Sequence, residues 1–90
     1  MKLELVIKAY DREAQFDHYD DGSVEAFDVV SAEVADGEHA GERLRVLVAS
    51  NSSRAKLWDR PGATLRVTVD PDLLASQVLF AGAFDIEEGP

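Results

Sequence analysis

The chain has 90 residues and no cysteine, which suits one domain with its own core and excludes a disulfide framework, a thiolate metal site and a cysteine nucleophile. Hydrophobic residues make up 46% and charged residues 30% of the chain, a globular balance that excludes a wholly disordered chain. The net charge of −9 disfavours general binding to nucleic acid or to anionic membranes, because both surfaces are negatively charged.

The N-terminal segment, Lys2–Tyr10, alternates between apolar and polar residues. This period of two predicts a strand whose buried face carries Leu3, Leu5, Ile7 and Ala9. The charged residues 11–13 interrupt the alternation, and a second alternating segment follows. Asp21-Gly22 predicts a type I′ hairpin turn, because both central residues of that turn need a positive φ.

The next segment, Ser23–Ala35, changes phase near Val29 and Val30, which predicts a long strand with a β-bulge or a bend. The following residues, 36–42, contain two glycines and predict a loop. Alternation returns in Arg43–Ser50, whose inward face consists of Leu44, Val46 and Val48.

Residues 51–60 lack a strand pattern and predict a short helical insert. Pro61-Gly62 predicts a type II turn, since Gly accepts the positive φ that this turn requires. A strand over Ala63–Asp70 and a tight turn at residues 70–72 follow. The last predicted strand, Gln77–Glu87, is interrupted by Gly82, and its predicted inward side chains are Val78, Phe80, Phe84 and Ile86. Residues 87–90 predict a tail.

These elements predict one all-β domain over residues 1–90, a small barrel of five or six strands. The bulged early strands and the insert between the Arg43 and Ala63 strands resemble an oligonucleotide/oligosaccharide-binding (OB) barrel. The resemblance is to an architecture and rests on no family motif. An SH3-like barrel and a small sandwich are the alternatives.

The chain has no pattern typical of catalysis, of a phosphate-binding loop or of a cofactor. We therefore predict a protein that is not an enzyme and has no cofactor and no metal site. One weaker alternative is calcium binding at the acidic hairpin, where residues 17–28 partly match a calcium loop. Tyr19 occupies a position where that loop needs an oxygen ligand, and Asp28 replaces its bidentate glutamate.

The negative charge is concentrated in one half of the chain. Residues 1–42 carry twelve acidic and three basic side chains, whereas residues 43–90 carry six of each. A one-sided acidic surface suits docking against a basic patch on another protein. The leading prediction is therefore a binding or accessory module for a protein partner, with candidate contacts at Asp17, Asp20, Asp21 and Glu25.

The main alternative is binding of single-stranded nucleic acid or an oligosaccharide. Its candidate face consists of Arg43, Arg45, Arg66 and Trp58, because cationic and aromatic side chains pair phosphates and stack bases. The competing role for Trp58 is an apolar plug that anchors the insert to the core.

The early charged residues Glu4 and Lys8 interrupt any signal-peptide stretch, and no apolar run approaches the ~20 residues of a membrane span. A cytoplasmic location with no membrane association is the resulting prediction.

Overall fold

The computed structural model describes residues 1–87, so three of the four predicted tail residues, 88–90, lie outside the described part of the chain. Six strands are joined by loops and short helical turns. In chain order the elements are β1 (Lys2–His18), β2 (Val24–Val34), β3 (Arg43–Ala49), α1 (Ala55–Trp58), β4 (Thr64–Thr68), α2 (Pro71–Leu74), β5 (Val78–Phe80), a 3₁₀ turn (Ala81–Ala83) and β6 (Asp85–Glu87). Within residues 1–87, no helix is long and apolar enough to cross a membrane.

The strands form one sheet in the order β5-β3-β2-β1-β4-β6, curled into a half-barrel. All neighbouring strands are antiparallel except β3 and β5, which run parallel. Strands account for 53% of the structure, so the predicted all-β, barrel-like class with five or six strands is confirmed. The two edge strands, β5 and β6, are consecutive in the chain and are joined through the 3₁₀ turn.

The core fills the inner side of this curl. The predicted inward residues of β1, β3 and β4 are buried there, with Leu5, Ile7 and Val46 fully inaccessible to solvent. Ala9 is the exception, because β1 shifts register between Ile7 and Ala9 and turns Tyr10 toward the core instead. One bulged residue reverses the face of every side chain that follows it.

The bulges lie in β1, whereas the prediction put a bulge or bend in β2. Strand β2 pairs with β3 without a break from Phe27 to Glu33. Residues 11–13 do not end β1, since the strand continues through a second register shift between Asp11 and Gln15. The change of phase in β2 has another cause: apolar side chains occupy both of its faces.

The predicted insert is confirmed as α1, a single turn that ends at Trp58, and the predicted turn at Pro61-Gly62 follows it. Gly62 has a φ of +89°, and the Ala63 N–H donates to the Arg60 carbonyl at 2.9 Å, as a type II turn requires. The turn predicted at residues 70–72 is instead the start of α2, where the Asp70 carboxylate accepts from the Asp72 N–H at 3.0 Å.

The predicted final strand is divided in two at Gly82. Leu79 points into the core, and its neighbours Val78 and Phe80 are 46% and 56% exposed on the outer face. The prediction that these two side chains point inward is therefore wrong. The 3₁₀ turn changes the phase of the segment, so that Phe84 returns to the core, where it is completely buried.

Candidate functional site

A two-stranded hairpin extends beyond the half-barrel and carries the predicted acidic residues. We call residues 14–27, the end of β1 and the start of β2, the hairpin arm. Within it, the strand partners are residues 15–18 and residues 24–27, and only Phe27 also pairs with β3. The arm is therefore a ribbon with little support from the rest of the sheet.

The loop at the tip of the arm differs from the predicted type I′ turn. The Gly22 N–H donates to the Tyr19 carbonyl, and the Tyr19 N–H donates to the Ser23 carbonyl, both at 3.0 Å. Only Gly22 has a positive φ, +87°, so the loop has three residues with Gly in the left-handed position. Asp21 instead accepts two hydrogen bonds from Ser23, and these lower the pKa of its carboxyl group.

The four candidate acidic residues lie together on this arm. Asp17 and Glu25 are cross-strand partners, and Asp20 and Asp21 occupy the tip. The Tyr19 hydroxyl donates to a Glu25 carboxylate oxygen at 2.7 Å, which holds that carboxylate at the surface. None of the four forms an ion pair with a basic side chain in residues 1–87.

Charges elsewhere on the sheet are largely compensated across strands. Glu33 lies 3.5 Å from Lys8 and 4.0 Å from Arg43, and the Arg66 guanidinium lies 3.4 Å from Glu4. The arm thus differs from the paired parts of the sheet in carrying four carboxylates close together with no basic ion-pair partner in residues 1–87.

The residues of the alternative ligand face do not form one cluster. Arg43 and Arg45 lie on β3, whereas Arg66 lies on β4, with β2 and β1 between them. Two of these three arginines pair with glutamates, and Trp58 has no exposed surface. Arg45 is the member that remains exposed without a carboxylate partner in the described residues.

Trp58 lies in the core, as expected for a plug. Its ring meets Phe84 edge to face, with centroids 5.5 Å apart, and its Nε1 is buried without a hydrogen-bond partner among residues 1–87. An apolar anchor on α1 explains how a single helical turn remains fixed to the sheet.

Asp28 is the only buried charged residue among those described, and no pattern in the sequence indicated its role. Its side chain is on the inner face of β2, next to the second bulge of β1. Oδ1 accepts from the Glu13 N–H at 2.8 Å and from the Ser50 hydroxyl at 2.7 Å, and Oδ2 accepts from the Tyr10 hydroxyl. Asp28 thereby ties β1 to the end of β3.

These bonds determine the protonation of the cluster. Burial by itself raises the pKa of Asp28, but the donors Tyr10, Glu13 and Ser50 outweigh it and hold that pKa below its ordinary value. Burial and the neighbouring carboxylate together raise the pKa of Tyr10, so its hydroxyl remains a donor. At this point the backbone of Glu13 adopts a positive φ of +48°, a conformation that costs on the order of 1 kcal/mol for a residue with a side chain.

The calcium alternative required Asp28 to lie with the loop carboxylates. Asp28 lies four residues beyond Val24 on β2, about 13 Å along an extended chain from the end of the loop. In residues 1–87, no three acidic or histidine side chains converge as metal ligands.

A second apolar surface lies on the outer face of the sheet, and sequence analysis missed it. We call it the convex patch; it consists of Phe27, Val29, Leu47, Val78 and Phe80. Phe80 covers Phe27, with ring centroids 5.8 Å apart, and remains 56% exposed. The available signal was the uninterrupted apolar run of residues 46–49, which is typical of a strand buried on both faces.

Comparison of this chain with models of known protein families, with curated proteins and with solved structures finds no match.

Proposed function

We propose that this protein is a non-enzymatic binding module that docks a protein partner through the hairpin arm. One observation carries the proposal: the arm projects from the sheet and bears Asp17, Asp20, Asp21 and Glu25, none of them ion-paired to a basic side chain of residues 1–87. A basic surface on a partner would supply the counter-charges. Clustered exposed charges of one sign act mainly by accelerating encounter.

The proposal is tested with a labelled octalysine peptide as the basic probe. Neutralising the arm in the variant Asp17→Asn/Asp20→Asn/Asp21→Asn/Glu25→Gln should slow association by about tenfold or more at low salt, because steering depends on local charge. Added salt should reduce the difference. Association rates measured by surface plasmon resonance at two salt concentrations give both quantities.

The matched control removes four exposed carboxylates away from the arm, as Asp36→Asn/Glu38→Gln/Asp72→Asn/Asp85→Asn. Its net charge equals that of the arm variant. A local docking site predicts a much smaller effect on the association rate, whereas equal effects would show that only net charge matters and would refute the proposal.

We further propose that the fold is OB-like. In support, α1 lies between β3 and β4 in the chain. Strands β3 and β5 are parallel, and the segment 78–87 pairs with β3 as well as with β4. A cytoplasmic location is part of the same proposal.

A second candidate function is binding of single-stranded nucleic acid or an oligosaccharide. The observation that favours it is the exposed ring of Phe80 on the same outer face as Arg45, whose strand partner is Val78, two residues before Phe80. OB barrels bind ligands on the face of strands two and three, where aromatic and cationic side chains stack bases and pair phosphates. In that case Arg45→Ala should weaken the binding of a labelled oligonucleotide, and neutralising the arm should strengthen it by removing repulsion.

A further inference from the structure

The convex patch and the hairpin arm meet at Phe27, which belongs to both, and they share the outer face of the sheet. Strand pairing places Gln15 beside Phe27, and Asp11 beside Val29. Two residues further along β1 and β2, Asp17 faces Glu25. Because side chains two residues apart share a face, the acidic pair and the apolar side chains form one continuous outer surface.

The buried members of the convex patch are separate from the core. Phe27 and Leu47 are only 5% and 4% exposed, yet neither belongs to the core cluster. Phe80 helps to shield both of them, because it pairs with Leu47 at the edge of the sheet and its ring contacts the Phe27 ring. The chain thus buries a second apolar surface under a side chain that is itself 56% exposed.

The geometry points to the convex patch as the anchor site of the proposed partner, which would present an apolar side chain flanked by lysine or arginine. This inference rests on the proposed function and specifies the chemistry of its partner. The apolar side chain would cover Phe80 and Val78, and the flanking cations would face Asp17 and Glu25. Interfaces commonly combine such a desolvated apolar centre with a charged rim.

A second copy of the chain is a poorer occupant. Each copy carries a net charge of −9, and the acidic pair at the end of the patch has no basic side chain bound to it in residues 1–87. Charge complementarity therefore favours a basic partner.

Two labelled peptides of equal charge test the inference. One has two central leucines between flanking triplets of lysine, and its twin has serines in place of the leucines. The leucine peptide should bind the wild type at least about tenfold more tightly at the same salt concentration, because burial of a leucine side chain supplies that difference. Fluorescence anisotropy measures both dissociation constants.

Phe80→Ser should reduce the affinity for the leucine peptide to that for its twin. The matched control is Leu73→Ser, since Leu73 is 40% exposed and lies on α2, outside both the hairpin arm and the convex patch. This control should leave both affinities unchanged. Circular dichroism checks that each variant is folded, and Val78→Ser replaces Phe80→Ser if the latter unfolds.

Four outcomes would overturn the inference. If the wild type binds the two peptides equally and neutralising the arm carboxylates weakens binding of both, the anchor site is refuted and the proposed function stands. Failure of wild type to bind the leucine peptide, its serine twin or octalysine at low salt refutes both. Self-association that Phe80→Ser abolishes, seen by sedimentation, identifies a second copy as the occupant. Tighter binding of a single-stranded oligonucleotide, lost in Phe80→Ser, assigns the patch to nucleic acid.

Discussion

At the scale of single residues, Asp28 shows how a buried charge is retained in a small core. Its carboxylate accepts three hydrogen bonds, two from residues of β1 and one from the residue that follows β3. Each donor compensates part of the cost of removing the charge from water. The Glu13 N–H is available only because the second bulge of β1 turns it toward Asp28, so the bulge and the carboxylate depend on each other.

Replacing Asp28 with alanine is expected to lower the free energy of unfolding by about 3 kcal/mol, since it removes three partly buried hydrogen bonds to a charged acceptor. Tyr10→Phe removes one bond to a charged acceptor and should cost ~1.5–3 kcal/mol. Urea unfolding at pH 7 measures both. Asp20→Asn, at the exposed tip, is the control, and a similar loss there would contradict a specific role for Asp28.

The same carboxylate predicts a pH dependence. Because its pKa is lower in the folded than in the unfolded protein, Asp28 stabilises the fold above the unfolded pKa of ~3.9. That stabilisation is lost as the pH falls through the lower, folded value. Asp28→Asn should therefore show a flatter decline in stability between about pH 5 and pH 2, compared by thermal unfolding. Parallel curves would exclude Asp28 as a contributor.

At the scale of elements, the hairpin arm depends on one backbone conformation at its tip. Gly22 has a φ of +87°, and no atom beyond its chain neighbours lies within 4 Å of the position that a Cβ would take, so a side chain there would be strained only by the backbone. The same open space surrounds Gly82, whose φ is not positive. Neither position is crowded, so comparing an alanine substitution at Gly22 with one at Gly82 isolates the cost of backbone strain.

Gly22→Ala is expected to destabilise the protein by about 1 kcal/mol, the cost of the left-handed region for a residue with a Cβ. Gly82→Ala should be close to neutral. Chemical denaturation of the two variants under the same conditions measures the difference, and equal costs would mean that the loop does not need the positive φ.

The short helix α1 is fixed to the sheet by its last residue. Trp58→Ala should lower the free energy of unfolding by about 3–5 kcal/mol through cavity formation. Trp58→Phe should cost less, because it retains a ring against Phe84 and removes an N–H that has no partner among residues 1–87. Fluorescence of the native protein should be blue-shifted. Emission typical of an exposed indole would contradict this arrangement.

Alternation in the sequence was sufficient to predict the class of fold, the core faces of β3 and β4, and the insert. It was insufficient wherever one residue changed the phase. Because of the bulge after Ile7, Ala9 and Tyr10 lie on the opposite faces from those predicted. The 3₁₀ turn at Gly82 likewise leaves Val78 and Phe80 on the outer face, whereas Phe84 points inward. Local patterns do not reveal such slips, because the pairing partner is distant in the chain. For the same reason Asp28 and the convex patch were not predicted.

At the scale of the whole molecule, charge is distributed unevenly over a well-paired sheet. Cross-strand ion pairs occupy the sheet, and the acidic arm lies beyond them. Exposed ion pairs contribute little to stability, whereas a net charge of −9 opposes the compact state. The balance between these two effects determines how the protein responds to salt.

Raising sodium chloride from about 0.01 M to 0.5 M should increase the melting temperature, because screening weakens self-repulsion more than it weakens exposed pairs. The increase should be smaller in the arm variant Asp17→Asn/Asp20→Asn/Asp21→Asn/Glu25→Gln. Differential scanning calorimetry compares the two proteins. A decrease with salt would indicate that the ion pairs dominate.

The connection of both edge strands through one 3₁₀ turn has a consequence for how the protein can be made. On their outer sides, β3 pairs only with β5 and β4 pairs only with β6. Both outer strands lie in residues 78–87, which follow all four of the longer strands in the chain. During synthesis, β1 to β4 therefore emerge with two unpaired borders, and one short segment later covers both borders together. A nascent chain that has not yet reached this segment presents two templates for pairing with another chain, so the hazard of aggregation is concentrated in the interval before residues 78–87 emerge.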